Sequence, residues 1–318
     1  MNHKILLPFV ALLSLTSCSN DINLTDRFFC FDTYVEVKLG EGSDEDLKEI
    51  SNIFKLYDKL SDNYQRRDLT NIYSINQTNS EEYIDEKLYK LLETSINAKN
   101  EGATYFNPLC GSLAKKWKES LNNRQILDEL TINQELEKMN NTSINLSGNN
   151  VVQRDGEAEI DLGGIVKGYA LDDVKDYLDK LNYKHYLVNA GNSSILLGEK
   201  DTKDGLYNIS IQDSIYYLKL KNCVVSTSGT AVQGVKIDEV TYSHIINPYT
   251  GSAINNYDTV IVISEKGYYG DVMSTSMMFN SIDEIKELET KHNIKVVAFK
   301  DHMVVYKNEG IVLYDREG

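Results

Sequence analysis

Asp271-Val272-Met273-Ser274-Thr275 sets a carboxylate and a hydroxyl four residues apart, on one face if the segment is helical. Hard oxygen donors of this kind suit Mg²⁺, which takes few protein ligands and completes its shell with phosphate or water. An aspartate before a helical run to Phe279 also reads as a helix cap, and spacing alone does not separate the two. A second constellation is Ile160-Asp161-Leu162-Gly163-Gly164-Ile165-Val166-Lys167-Gly168, a strand end, a glycine turn and the start of a helix. Glycines there let backbone amides approach a ligand closely. Asp161 and Lys167 would then hold opposite parts of a nucleotide, or else form a structural ion pair. Third, His244 precedes two apolar residues and a proline-bearing turn, Ile245-Ile246-Asn247-Pro248. Imidazole titrates near neutral pH, as a general base must, although a lone histidine equally serves structure.

The elements that must position these groups alternate along the chain. Thr33 to Leu39, within Phe28 to Leu39, alternates with period two and reads as an early half-buried strand. Asp44 to Leu60 carries Leu47, Ile50, Phe54 and Tyr57 at helical spacing, with Ser43 and Asp46 marking a capped start. A second amphipathic helix is expected around Glu86 to Gly102, ended by that glycine. An asparagine-rich, less regular stretch that carries short helices is expected to run to about Asn150. A helix from Tyr169 to Leu181 follows the glycine turn. Strands Tyr186-Leu187-Val188 and Val224-Val225 run into the small polar segments Asn189 to Ser194 and Ser226 to Thr230, which read as ligand-facing loops or tight hairpin turns.

The 318 residues, 41% hydrophobic and 25% charged, allow one large domain or two intimate ones with a real core. A formal charge of −15 excludes sustained contact with nucleic acid, whose affinity rests on lysine and arginine. Lys4 precedes an apolar stretch from Ile5 to Leu15 that is too short to span a bilayer and suits a signal peptide. Leu15-Thr16-Ser17-Cys18 resembles the lipobox of bacterial lipoproteins, in which the cysteine takes the lipid. Residues 1–17 are thus expected as signal peptide, 18–26 as a lipidated tether and 27–318 as the domain. That places the protein outside the cytoplasm, anchored to the cell membrane by acyl chains. Cys30, Cys110 and Cys223 give no disulfide framework or zinc spacing, and Cys223 in an apolar run reads as a small hydrophobe.

In order and spacing, Asp161 through Gly168, Val188-Asn189-Ala190-Gly191, Thr227-Ser228-Gly229, Ser243 through Pro248 and Asp271 through Thr275 resemble the ApbE family of FAD:protein FMN transferases. Phe31-Asp32-Thr33, Ile75-Asn76, Phe106 through Leu113 and Trp117 extend the likeness over nearly the whole mature chain. The resemblance implies one α+β unit of the tunnelling type, with a mixed sheet and flanking helices. It implies that Asp161 and Lys167 contact FAD, and that Leu109, Cys110 and Gly111 wall the cleft with Phe31 and Ile245. It also implies a Mg²⁺ ion held by Asp271 and Thr275 side chains and by backbone oxygens of Gly164 and Ser274, with His244 beside the flavin phosphates. The chain departs from the family pattern at Asp32, Cys110, Ser112, Asn192 and Asn247, and none of these is an implied metal ligand.

The implied reaction is phosphoryl transfer. An acceptor threonine on a secreted or membrane-exposed protein attacks the FMN-side phosphorus, and AMP departs. His244 would accept the hydroxyl proton, or Asp271 would polarise the hydroxyl through the metal. Two other readings use the same residues: a Mg²⁺-dependent FAD pyrophosphatase giving FMN and AMP, and a flavin-binding lipoprotein without turnover.

Overall fold

The computed structural model describes residues 24–230 and 234–316. Cys18, the expected signal peptide and most of the expected tether lie outside the described residues. Eight strands form the central sheet: β1 (Leu24–Cys30), β2 (Thr33–Leu39), β6 (Tyr186–Ala190), β7 (Ser194–Leu197), β10 (Cys223–Gly229), β13 (Thr259–Ser264), β14 (Lys295–Lys300) and β15 (Met303–Lys307), adjacent in that order. β3 (Glu82–Tyr83), β5 (Val151–Asp155) and β4 (Ser143–Ser147) make a small sheet, β16 (Tyr314–Asp315), β9 (Tyr216–Leu220) and β8 (Tyr207–Ser210) a second, and β11 (Val235–Ile237) pairs with β12 (Val240–Tyr242). The helices are α1 (Asp44–Ser61), α2 (Ile72–Asn76), α3 (Glu86–Asn97), α4 (Gly111–Asn122), α5 (Glu129–Asn140), α6 (Val166–Lys180), α7 (Gly267–Met277) and α8 (Ile282–His292).

This is the expected α+β unit with flanking helices. The central sheet, however, is antiparallel at every ladder rather than mixed in strand direction. Strand β13 is apolar on both faces because both are covered. Val260 and Val262 point into the larger core with the helices, and Ile261 and Ile263 into a second core beneath the β8–β9–β16 sheet.

Several boundaries differ from the sequence expectations for local physical reasons. The single early strand is a hairpin: Cys30 pairs with Thr33 across a two-residue turn in which Phe31 (φ 52°) and Asp32 (φ 55°) are both left-handed. The expected tether overlaps β1, which begins at Leu24. The Asp44 helix carries the full Ser43/Asp46 capping box. The Glu86 helix stops at Asn97, and the chain folds back through Gly102 (φ 104°) with Ala103 N–H donating to Ala98 O at 3.0 Å. The short helices expected before Asn150 are present as α4 and α5, the latter capped by Asp128. α6 starts three residues before Tyr169, directly after the glycine turn. The serines after Val225 continue strand β10 to Gly229 and do not form a loop.

The contact between α6 and α7 sets the geometry of the site. A Cβ on Gly168 would lie 2.1 Å from Gly267 O, and one on Gly267 would lie 2.3 Å from Gly168 O. The two backbones therefore touch directly, which glycine alone permits. Gly168→Ala is expected to lower stability by more than ~1–3 kcal/mol, because backbone cannot yield as a side chain does. Gly148→Ala, with nothing within 4 Å of the new methyl, should change it by less than ~1 kcal/mol. Urea denaturation midpoints of the two variants check the contrast, and equal midpoints would contradict it.

Candidate functional site

The glycine turn is held rigid before it reaches α6. Ile160 lies in the irregular segment after β5 and not at the strand end expected there, and buried Asn76 grips it, its amide donating to Ile160 O at 2.9 Å and its oxygen accepting from Ile160 N–H at 2.7 Å. Asp161 N–H donates to Pro108 O at 2.8 Å, and Gly111 N–H to Glu159 O at 2.9 Å. The Leu109-Cys110-Gly111 segment is thereby fastened alongside Asp161. Asp161 Oδ1 accepts from Gly163 N–H at 2.7 Å, and Lys167 Nζ donates to Ser193 Oγ. The two do not form the ion pair that their spacing left open.

Asp271 is the centre of the arrangement. It lies one turn inside α7, which begins at Gly267, so it is not the helix cap. Its Oδ1 accepts from Ser194 Oγ at 2.8 Å and Ser226 Oγ at 2.7 Å, and its Oδ2 from Gly168 N–H at 2.7 Å. Desolvating a carboxylate costs several kcal/mol, and hydrogen bonds to a charged group return about 1.5–3 kcal/mol each. Burial still raises the Asp271 pKa, against the opposing charge of Lys167, while burial lowers that of Lys167. A cation beside Asp271 would add the positive charge that burial leaves wanting.

The donor set fits Mg²⁺ on this structure. Oδ1 already accepts twice, whereas Oδ2 accepts once and keeps capacity for a ligand. Thr275 is the next residue on that face of α7, half-exposed, and Ser228 Oγ lies 3.3 Å from its hydroxyl and 2.9 Å from that of Ser274. Gly164 stands opposite, with the position of a Cβ there 3.5 Å from Thr275 Oγ1. Among the described residues no three His, Cys, Asp or Glu side chains gather as a metal site. One carboxylate with hydroxyl and carbonyl oxygens instead suits an ion that shares its shell with phosphate and water.

His244 follows β12, where Ser243 Oγ accepts from Ile245 N–H at 3.0 Å and so fixes the turn. The residue is exposed to solvent, yet the groups around its ring desolvate it. Desolvation, then the ammonium groups of Lys167 and Lys118, push its pKa down to about 4. Asn247, where the family pattern has aspartate, accepts from Tyr249 N–H at 2.9 Å and Thr250 N–H at 3.2 Å. An amide oxygen does this as well as a carboxylate, so the turn is kept. Phe31 stands at the hairpin tip, its N–H donating to Asp58 Oδ1 at 2.8 Å and its ring edge-on to Phe54. The Cys30, Cys110 and Cys223 thiols are pushed up to about 12, chiefly by burial, and are inert as nucleophiles.

Sequence reasoning named the segments containing Ser194, Ser226 and Ser228 but gave these residues no role. The period-two placement of Ser226 and Ser228 on one face of β10 was the available signal. Two recesses lie elsewhere. One of ≈ 380 Å³ borders Asp172, Asp173, Glu93 and Glu101, and one of ≈ 900 Å³ borders Tyr183, Tyr186 and Lys221.

Fold and cluster define an α+β protein in which one helix presents hard oxygen donors beside an ammonium, the groups that phosphate chemistry uses. The match to the family model described as "ApbE family" spans residues 31–298, and the chain belongs to that family. It is 26% identical over 234 residues to an FAD:protein FMN transferase of Klebsiella pneumoniae (strain 342), covering 72% of each chain. To one of Treponema pallidum (strain Nichols) it is 25% identical over 215 residues, covering 61% of this chain and 59% of that one. Among solved structures, the ApbE protein of Thermotoga maritima superposes with a TM-score of 0.74 at 22% identity, over 92% of this chain and 97% of that one. The flavin transferase ApbE of Vibrio cholerae gives 0.71 at 20%, over 92% and 96%.

The depressed His244 pKa predicts a neutral ring in the free protein from about pH 5 upward. NMR titration of its ring protons should place the midpoint far below the ordinary 6.5. A midpoint at or above that value would contradict the positive surroundings described.

Proposed function

We propose that the chain is an FAD:protein FMN transferase that cleaves FAD with Mg²⁺ and attaches FMN through a phosphoester bond to a threonine of an acceptor protein. The observation that carries the reading is the buried Asp271 carboxylate, oriented by three donors, with Thr275 one turn on and Lys167 within its field. Family membership and the names of the relatives support it.

In this reading Asp271, through Oδ2, and Thr275 hold the metal with backbone oxygens of Gly164 and Ser274. When bound, Mg²⁺ neutralises charge on the pyrophosphate oxygens. Lys167 meets phosphate oxygens from the opposite side, kept in place by Ser193. Asp161, Leu109, Cys110, Gly111, Phe31 and Ile245 line the flavin cleft. A neutral His244 takes the proton of the acceptor hydroxyl as its oxygen bonds to the FMN phosphorus, and the bond to AMP breaks. With its pKa near 4 in the free protein the ring is a weak base, and the ~10²–10⁴ that a base matched to the working pH contributes would need bound phosphate to raise it. The exposure of His244 to solvent leaves room for an incoming acceptor, and equally for water. The lipobox at Cys18 supports an extracytoplasmic, membrane-anchored enzyme whose acceptor is secreted or membrane-exposed.

Detergent-solubilised full chain, incubated with FAD, Mg²⁺ and a candidate acceptor, is expected to yield covalent FMN on that acceptor and free AMP. FMN and AMP without acceptor labelling would identify a pyrophosphatase, and intact FAD would reject both enzymes. Asp271→Asn keeps the side-chain shape and removes the charge, and should cut the rate at least about a hundredfold, the scale of losing one charge-stabilising group.

A further inference from the structure

α7 is held by α6 at two heights. One turn into α7, Gly168 N–H donates to Asp271 Oδ2. At its first turn, Asp172 Oδ1 accepts from Gly267 N–H at 2.7 Å and Asp172 Oδ2 from Tyr268 N–H at 2.9 Å. Lys266, the residue preceding α7, gives no side-chain cap. The first N–H groups of a helix need acceptors, and a carboxylate there also meets the positive end of the helix dipole. Gly168 and Asp172 are one turn apart on α6, and between their contacts the backbones of Gly168 and Gly267 touch. Height and rotation of α7 about its axis are therefore set from α6, and these coordinates place Asp271 and Thr275.

We propose that Asp172 is a positioning residue for the cation held by Asp271 and Thr275, fixing α7 from its first turn without touching the ion. The proposal rests on the reading of Asp271 and Thr275 as metal ligands. Burial pushes the Asp172 pKa up to about 6, aided by the charge of Asp271 and opposed by the N–H groups of Tyr268 and Gly267 and by Lys266. Asp173, Asp176, Glu93 and Glu101 share its recess with Tyr169 and Tyr268. At neutral pH Asp172 is ionised, and both oxygens serve as acceptors.

Two readouts on the full chain test this: the Mg²⁺ concentration giving half the Mg²⁺-induced rise in melting temperature with FAD present, and that giving half-maximal FAD cleavage. In Asp172→Ala both should rise about tenfold or more, the scale for losing a group that orients a metal ligand, while FAD affinity without Mg²⁺, read by flavin fluorescence, is unchanged. Asp172→Asn keeps one acceptor oxygen and should fall between; it carries the test if the alanine variant does not fold. Glu289→Gln weakens a 2.6 Å bond from Val296 N–H on elements that give the site no residue. It should lower the melting temperature and leave both Mg²⁺ concentrations unmoved. Unshifted concentrations in the Asp172 variants overturn the proposal, as does an equal shift in Glu289→Gln. A native chain indifferent to Mg²⁺ overturns the metal reading beneath it, a result visible without any variant.

Discussion

A carboxylate in a protein interior must be answered by donors or it will not stay ionised, and Asp271 is answered from three directions at once. Ser194 comes from β7, Ser226 from β10 and the Gly168 N–H from α6. Each of those elements has a further reason to be where it is. β7 and β10 are neighbours in the sheet, and α6 meets α7 through bare backbone. The helix carrying Asp271 is buried almost all round, so its side chains report the packing of the whole centre of the molecule.

The same constraint explains the small residues around it. Gly270 faces Ser226 and Ser264, whose hydroxyls would lie 2.6 and 2.7 Å from a Cβ. Larger side chains on this face would lift α7 off the sheet and carry Asp271 away from its serines. Ser276, one turn beyond Val272, accepts from Tyr105 N–H at 3.0 Å and ties the other end of α7 to the segment leading to Phe106. Phe106 in turn packs against Gly164. The turn that faces Thr275 and the helix that bears it thus share one wall.

Much of this was legible in the sequence because it depends on local chemistry. The Ser43/Asp46 cap and the glycine turn and helix around Gly163 to Lys167 are each written in a few adjacent residues, whereas the strand expected just before them ends at Asp155. The likeness to the ApbE family gathered Asp161, Lys167, His244, Asp271 and Thr275 before any geometry was available. What stayed hidden depends on partners distant in sequence. The Phe31-Asp32 turn lacks the glycine or asparagine that signals a two-residue hairpin, and its strained first residue is held by Asp58 from α1. Ser226 to Gly229 looks like a loop by composition, yet pairing with β13 extends the strand through it. The role of Asp172 was invisible, since a carboxylate on α6 gives no sign that it caps a helix beginning 95 residues later.

The three donors to Asp271 lie 103, 77 and 45 residues from it along the chain. Each bond closes a long loop, and such closures become favourable only when the others are already in place. A half-assembled centre would bury a charge with too few donors, which is worse than leaving it in water. A buried charge that takes its donors from the sheet and from α6 at once therefore ties the stability of those elements to one another.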